Sequence, residues 1–330
     1  MCSLFGWLDY KGIIPDKVLK KLTQSLANAA EERGTDAAGI SYVKDGKVII
    51  FKRPKPAHRI RFNTPGGTRA VMGHTRMTTQ GDEKHNYNNH PFPGRAGDMD
   101  FALAHNGMLY NDKELRKALN LPDTHIETDS YAAVQLIERS SELSFDSLRN
   151  MSEKVQGSFC FSILDKMGKL YIVKGSNPMT ILHFESLGLF IYTSTSSIIT
   201  KALKKSGLYR FDSIPIIMEE GQMLSIDRNG LIERAEFTPA PDRRFSKCNF
   251  GEWYDCFDDE LYSCHEQMIL EMCGMFGVDE EDVCLLLDYG YSADEVEEML
   301  MDYTLLNETI RDIKFMYGEN IYEECCGGVL

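Results

Sequence analysis

The stretch AAGISYVKDGKVIIFK, Ala37 to Lys52, decides the fold. Two runs rich in Ile, Val, Tyr and Phe flank KDGK at Lys44 to Lys47, and an Asp-Gly pair supplies the backbone angles that a tight hairpin needs. Runs of the same kind recur on both sides of it: SLFGWL, RAVMGHTR, DFALAHNG, GSFCFSILD, KLYIVKG, LFIYTST and QMLSIDR, with a second hairpin signal in DKMGK at Asp165 to Lys169. The sheets are therefore expected to be largely antiparallel. Helical periodicity is found at about residues 17–32, 113–119, 128–139, 145–155 and 196–206, enough to cover sheets on their outer faces. Up to about residue 240 this is the pattern of an α+β layered protein.

The polar, Pro-containing string TPAPDRRFSK at residues 238–247 marks a boundary. Three segments are expected: a main domain over 2–240, a linker over 241–250 and an acidic helical module over 251–330. The formal charge of −14 is unevenly spread, since residues 251–330 hold 22 Asp and Glu against only Arg311 and Lys314. That leaves the first 250 residues near +6. No Lys/Arg stripe with interleaved aromatics is present, so the charge pattern lends little support to nucleic-acid binding. The module reads as three or four short helices, one starting at Ser292 with Glu295 at capping-box spacing. Its apolar face is expected from Leu285, Leu286, Tyr289, Val296, Leu300, Tyr303 and Ile310. The string LLLDYGYSADEVEEML resembles the first loop of ubiquitin-associated-type three-helix modules, which are partner-binding bundles.

Hydrophobic content of 43% with 26% charged residues is that of an ordinary folded chain. No run approaches the ~20 apolar residues of a membrane helix, and the N-terminus lacks the pattern of a secretory signal. A cytoplasmic protein without membrane contact is the expectation. Nine cysteines then read as thiols rather than a disulfide framework. Cys248, Cys256, Cys264, Cys273 and Cys284 form no CxxC pair, and Cys325 and Cys326 are adjacent, which fits no usual zinc spacing. Neither a metal nor a cofactor is expected.

Cys2 stands apart from the other eight. Removal of Met1 would make it the first residue, and its α-amine, titrating near ~7.7–8.0, would lie beside its own thiol, which titrates near ~8.5. One residue would then supply both nucleophile and base.

Five further motifs follow in order: RGTDAAGI at Arg33 to Ile40, GHTRMTTQG at Gly73 to Gly81, NHPF at Asn89 to Phe92, LAHNG at Leu103 to Gly107 and ETDS at Glu127 to Ser130. An acyl transfer from an amide needs two hydrogen-bond donors at the developing oxyanion, and HNG offers a side-chain amide and a glycine backbone N–H. Arg76 offers a planar fork for a carboxylate, and Asp129 an anion for an ammonium.

In order and spacing these motifs resemble the glutaminase domain of class II glutamine amidotransferases, the N-terminal nucleophile family that includes glucosamine-6-phosphate synthase. The resemblance covers about residues 2–240. It implies a four-layer αββα sandwich, with the small helical C-terminal domain added to it. It implies Cys2 as nucleophile, Asn106 and Gly107 as the oxyanion hole, and Arg76, Thr79, Asp129 and His90 around bound L-glutamine, with Arg33 supporting Cys2. His74 reads as a buried, hydrogen-bonded core residue rather than an acid or base, and His85 and His105 are read the same way. Met77 departs from the family, whose aminosugar synthase has tryptophan there, so closure of this loop is expected to differ.

The implied function is glutamine hydrolysis to glutamate and ammonia through a thioester. The 80 residues of the acidic module are too few for the sugar-isomerising or phosphoribosyl-transferring domains of the family's larger enzymes, so ammonia is expected to pass to a separate synthase, with residues 251–330 as the partner surface. Two alternatives stand beside this: an N-terminal nucleophile amidase acting on another amide, and a non-catalytic interaction protein working through its acidic tail.

Overall fold

The computed structural model describes residues 2–240, 269, 270, 273, 277–302 and 304–314. The linker expected at 241–250, Met1, Tyr303, Cys248, Cys256, Cys264, Cys325 and Cys326 lie outside these residues. The chain divides into two compact units, Met1–Asn249 and Phe250–Leu330.

The first unit holds two antiparallel sheets. One has seven strands: β1 Ser3–Asp9, β2 Ala37–Lys44, β3 Lys47–Arg53, β4 Ala70–Arg76, β9 Thr180–Phe184, β10 Leu189–Thr193 and β11 Ile214–Pro215, in the order β11-β9-β10-β1-β4-β2-β3. The other has six: β5 Phe92–Ala96, β6 Met99–Leu109, β7 Gly157–Asp165, β8 Leu170–Lys174, β12 Gln222–Ile226 and β13 Ile232–Glu236, in the order β13-β12-β8-β7-β6-β5. The KDGK hairpin joins β2 to β3, with Asp45 and Gly46 at φ of 50° and 69°, as a two-residue turn of this hand requires.

Side chains alternate across a strand, and here the alternation sorts residues into three cores. On β1, Leu4 and Leu8 enter the layer between the sheets, while Phe5 and Trp7 point the other way. On β6, Ala102 and Ala104 face inward and Phe101 and Leu103 outward; on β7, Cys160 and Leu164 oppose Phe159, Phe161 and Ile163. The outward residues of the first sheet pack under α1 (Asp16–Ala29) and α5 (Ser196–Ser206). Those of the second pack under α2 (Asp112–Ala118), α3 (Ser130–Glu138) and α4 (Phe145–Ser152). The result is an αββα sandwich. Glycines are required where β1 and β4 lie side by side: a Cβ on Gly6 would stand 2.4 Å from the Val71 carbonyl, and one on Gly73 2.2 Å from the Phe5 ring.

Four strands lack a sequence signal. β5 contains Pro93 and Gly94, β11 is two residues long, β13 reads IERAE with alternating charges, and β9 is the short TILHF. Three of them (β5, β11 and β13) lie at sheet edges, where half the ladder is unpaired and proline or charge is tolerated.

In the second unit, α6 (Glu280–Tyr289) ends at Gly290 with φ of 107°, and α7 (Ala293–Leu300) starts at Ser292 with the expected reciprocal Ser292–Glu295 capping box; residues 304–314 are helical. Val283, Leu286, Val296, Leu300, Leu306 and Ile310 form its core. The face is rotated from the one expected: Leu285 is only partly buried and Tyr289 is exposed, stacked 6.1 Å from Tyr291. The 3.6-residue period carries Val283 and Leu286 inward and sets Leu285 and Tyr289 to the side. Among the described residues, no helix is long and apolar enough to cross a membrane.

Phe161 is fully buried, whereas Met167 is 55% exposed. Urea titration is expected to find Phe161→Ala less stable by about 3–5 kcal/mol, and Met167→Ala within about 0.5 kcal/mol of wild type.

Candidate active site

Cys2 precedes β1, the strand held between β4 and β10. The residue is fixed at both ends: its carbonyl accepts from Arg33 Nε at 3.1 Å, and its Sγ donates to the Met77 carbonyl at 3.4 Å. Arg33 reaches it from a short 3₁₀ turn, Ala30–Arg33, that follows α1, and is 2% exposed. Burial pushes the Cys2 thiol up from its ordinary pKa; the Met77 hydrogen bond and the nearby Arg76 guanidinium pull the other way, and Asp129 adds to the rise. Arg76 and Asp129 thus both lie within electrostatic reach of the sulfur. The other described cysteine of this unit, Cys160, is a different kind of thiol: it sits in the core between the sheets, and burial raises it to about 12.

Arg76 closes β4. Its guanidinium donates to Asn89 Oδ1 at 2.7 Å and to the carbonyls of Gln80 and Gly81 at 2.6 and 3.0 Å. Three of five N–H groups are so engaged, and the remainder suit an anionic ligand. The turn after Arg76 is pinned by Asp36, which accepts from Thr78 N at 2.7 Å and donates its own N–H to the Arg76 carbonyl at 3.0 Å. Gly34 is needed there, because a Cβ would fall 2.5 Å from the Arg76 carbonyl carbon. Gln80 Nε2 donates to the Glu127 carbonyl at 2.9 Å, joining this turn to the ETDS segment. Thr79 lies on the turn with an exposed side chain.

Asp129 occupies the N-cap position of α3 without capping it. Its carboxylate instead accepts from Leu109 N at 2.6 Å and from the Ser130 hydroxyl at 3.2 Å, which leaves acceptor capacity on both oxygens. Behind it, Ser130 meets His105 Nδ1 at 2.8 Å, and His74 Nε2 meets the His105 carbonyl at 2.9 Å. His90 lies in this interior layer, its ring 4.2 Å from that of His74 and 4.4 Å from Phe92. Burial lowers all three histidines, His74 to about 3, so the layer is neutral at pH 7.

Asn106 and Gly107 stand on β6, Asn106 fully buried. Gly107 has φ of 136°, and a Cβ would lie 2.1 Å from the Ser158 carbonyl, so no other residue fits without strain. Asn106 is held by Asn177, whose Nδ2 donates to its carbonyl at 3.0 Å, and by Ser194, 3.3 Å from its carboxamide. Ser194 also accepts from Leu4 N at 2.9 Å, which ties β6 of one sheet to β1 of the other. Sequence reasoning missed Ser194, Asn177, Asn89 and Ser130. Their signal was faint: Asn89, Ser130 and Ser194 are small polar residues within stretches quoted for their neighbours, and Asn177 lies in none.

Lys52 was missed too. From β3 its Nζ donates to the carbonyls of Pro91, at 3.1 Å, and Asn89, and lies over the Phe92 ring. It braces the segment whose Asn89 receives Arg76. Burial, with Arg76 nearby, lowers it to about 7. Among the described residues, no group of three or more His, Cys, Asp or Glu is arranged to hold a metal ion.

The half-buried thiol stands at the head of a central strand, between two packed antiparallel sheets with helices outside, an arrangement that resembles the αββα fold expected from the motifs. Solved structures of similar fold include the glutamine phosphoribosylpyrophosphate amidotransferase of B. subtilis, at TM-score 0.56 and 20% identity over 72% of this chain and 49% of that one. A structure of the allosteric regulatory enzyme of purine biosynthesis matches equally, at TM-score 0.56 and 21% identity over the same shares. Residues 74–201 match the family model of the glutamine amidotransferase domain. Glutamine–fructose-6-phosphate aminotransferase (isomerizing) of Staphylococcus epidermidis is 30% identical over 191 residues, and that of Staphylococcus aureus 31% over 194. Each alignment takes in 55% of this chain and 30% of the relative, so the chain spans about a third of these relatives' length. Over the span these comparisons cover, the chain is similar to the glutamine amidotransferase domain.

Lys52 sets a pH signature. The unfolded lysine titrates near ~10.4 and the folded one near about 7, so between these values the unfolded chain binds the extra proton and stability rises with pH. Urea midpoints at pH 7 and pH 9.5 should show wild type gaining on Lys52→Met by up to about 1 kcal/mol per pH unit; an unchanged difference would exclude a buried, depressed Lys52.

Proposed function

We propose that the chain hydrolyses the side-chain amide of L-glutamine, with Cys2 as nucleophile once Met1 is removed. The observation that carries the reading is that Arg76 and Asp129, each braced by backbone bonds that leave polar capacity free, both lie within electrostatic reach of Cys2. A cation and an anion flanking a nucleophile are what an α-amino acid demands: Arg76 receives the carboxylate, assisted by Thr79, and Asp129 the ammonium. An amide without that zwitterion would leave the remaining Arg76 N–H groups and Asp129 lone pairs without a ligand partner, which disfavours other amides. His90 shapes the wall of the site from the layer behind Arg76, and Arg33 holds the Cys2 carbonyl so that the residue keeps its orientation.

The α-amine of Cys2 takes the thiol proton, and the thiolate attacks the glutamine side-chain carbonyl carbon. Negative charge moves to its oxygen, where the Asn106 carboxamide and the Gly107 N–H stabilise it. Collapse breaks the C–N bond, and the ammonium formed at Cys2 protonates the leaving nitrogen, giving ammonia and a thioester. Water, deprotonated by the same amine, attacks the thioester to release glutamate and restore the thiol. Burial raises the thiol pKa, so a local base is a necessity rather than an aid. The ammonia passes to a separate synthase, and the acidic C-terminal unit is the surface that recruits it.

Incubation with a glutamine-analogue diazoketone should add one equivalent of label to the protein lacking Met1, read by intact mass, and none to Cys2→Ala. Processed protein that resists labelling would sink the reading. Arg76→Met is expected to raise KM for glutamine by at least about tenfold, because a charge-assisted pair is lost. Ammonia release should climb as the N-terminal amine loses its proton, near ~7.7–8.0. A flat rate from pH 6 to 9 would remove the amine from the mechanism.

A further inference from the structure

Ser194 follows β10 and is fully buried. Its N–H donates to the Leu4 carbonyl and its Oγ accepts from Leu4 N, both at 2.9 Å, so it brackets the residue two positions beyond Cys2. The same Oγ lies 3.3 Å from the Asn106 carboxamide. With Nδ2 of Asn106 turned toward Ser194, the hydroxyl accepts twice and Oδ1 of Asn106 is left buried without a partner.

A serine hydroxyl has one hydrogen to give, and an amide's oxygen and nitrogen ends are alike in shape, so the hydrogen-bond inventory decides which end faces which group. Turned by 180°, Oδ1 accepts the Ser194 O–H. Nδ2 then takes the position where Oδ1 had no donor, and both its hydrogens face away from Ser194. Main-chain placement of Asn106 does not depend on this choice, because Asn177 holds its carbonyl.

We infer that Ser194 is a positioning residue: its hydroxyl donates to Oδ1 of Asn106 and so aims Nδ2 at the reacting carbonyl. This rests on Asn106 being the oxyanion donor of the proposed reaction. Without the hydroxyl the amide has no reason to prefer the productive orientation. The nucleophile strand and the oxyanion donor are thereby set by one atom, the Oγ that accepts from Leu4 and donates to Asn106.

Two measurements test it. In a neutron crystal structure of the deuterated protein, the deuteron of Ser194 should point to Asn106, and the two amide deuterons should sit on the carboxamide atom remote from Ser194. Amide deuterons facing Ser194 would overturn the inference, whether or not the protein turns over glutamine. In kinetics, Ser194→Ala is expected to lower kcat for glutamine by about 10–100-fold, somewhat less than loss of an oxyanion donor, with KM within about twofold. Ser194→Thr, which keeps the hydroxyl, should recover most of kcat, and Ser194→Ala in an Asn106→Ala background should cost little more. Wild-type kcat in Ser194→Ala would overturn the role. A wild type that binds no diazoketone and releases no ammonia would instead overturn glutamine hydrolysis, and the neutron map alone would then decide the amide's orientation.

Discussion

Everything in the first unit depends on β1 being paired on both edges and buried on both faces. Its edges are taken by β4 and β10, and its faces by the helix-side core and by the core between the sheets. A strand so enclosed cannot shift sideways, tilt or slip without unpairing buried backbone groups. Gly6 and Gly73 leave room for the neighbouring strands and their side chains within this sheet, where a single Cβ would collide. The residue before such a strand inherits its fixity, and that residue is Cys2.

Around this fixed point the site is assembled from segments far apart in the chain. Arg33 with Asp36, Arg76, Asn106, Asp129 and Ser194 arrive from five places, and all but Asn106, which the side chains of Ser194 and Asn177 hold, bond to backbone groups. Arg76 spends part of its guanidinium on the carbonyls of its own turn and Asp129 part of its carboxylate on a strand N–H. Such bonds hold the charges in place before any ligand arrives, which is the condition for a charge pair to discriminate.

Much of this was legible in the sequence because it rests on local rules. Nine strands and the five α-helices among the described residues of the first unit follow from apolar runs, period and Asp-Gly chemistry, and the Ser292–Glu295 box fixed the start of α7. The strands β5, β9, β11 and β13 were silent because their identity comes from neighbours: IERAE pairs only because QMLSI offers an edge. Cys2, Arg76, Asn106, Gly107 and Asp129 were named from motif chemistry together with the family resemblance, and Arg33, Thr79 and His90 from the resemblance alone. Ser194, Asn177 and Asn89 act through contacts 71 or more residues away, or 13 in the case of Asn89, and no periodicity reports those. Lys52 was hidden by its place on β3, where a lysine ordinarily faces water.

The double anchoring of Cys2 also limits what can vary at this end of the chain. Arg33 grips its carbonyl and Met77 its sulfur, while Leu4 and Phe5, immediately following, belong to opposite cores. Residue types there can drift within size and polarity, but the count cannot: one residue added between Cys2 and Phe5 would exchange the two cores' side chains and move the thiol off its anchors. The distance in sequence from nucleophile to core is in this sense a quantised dimension of the fold, and length variation is confined to the loops that join the strands.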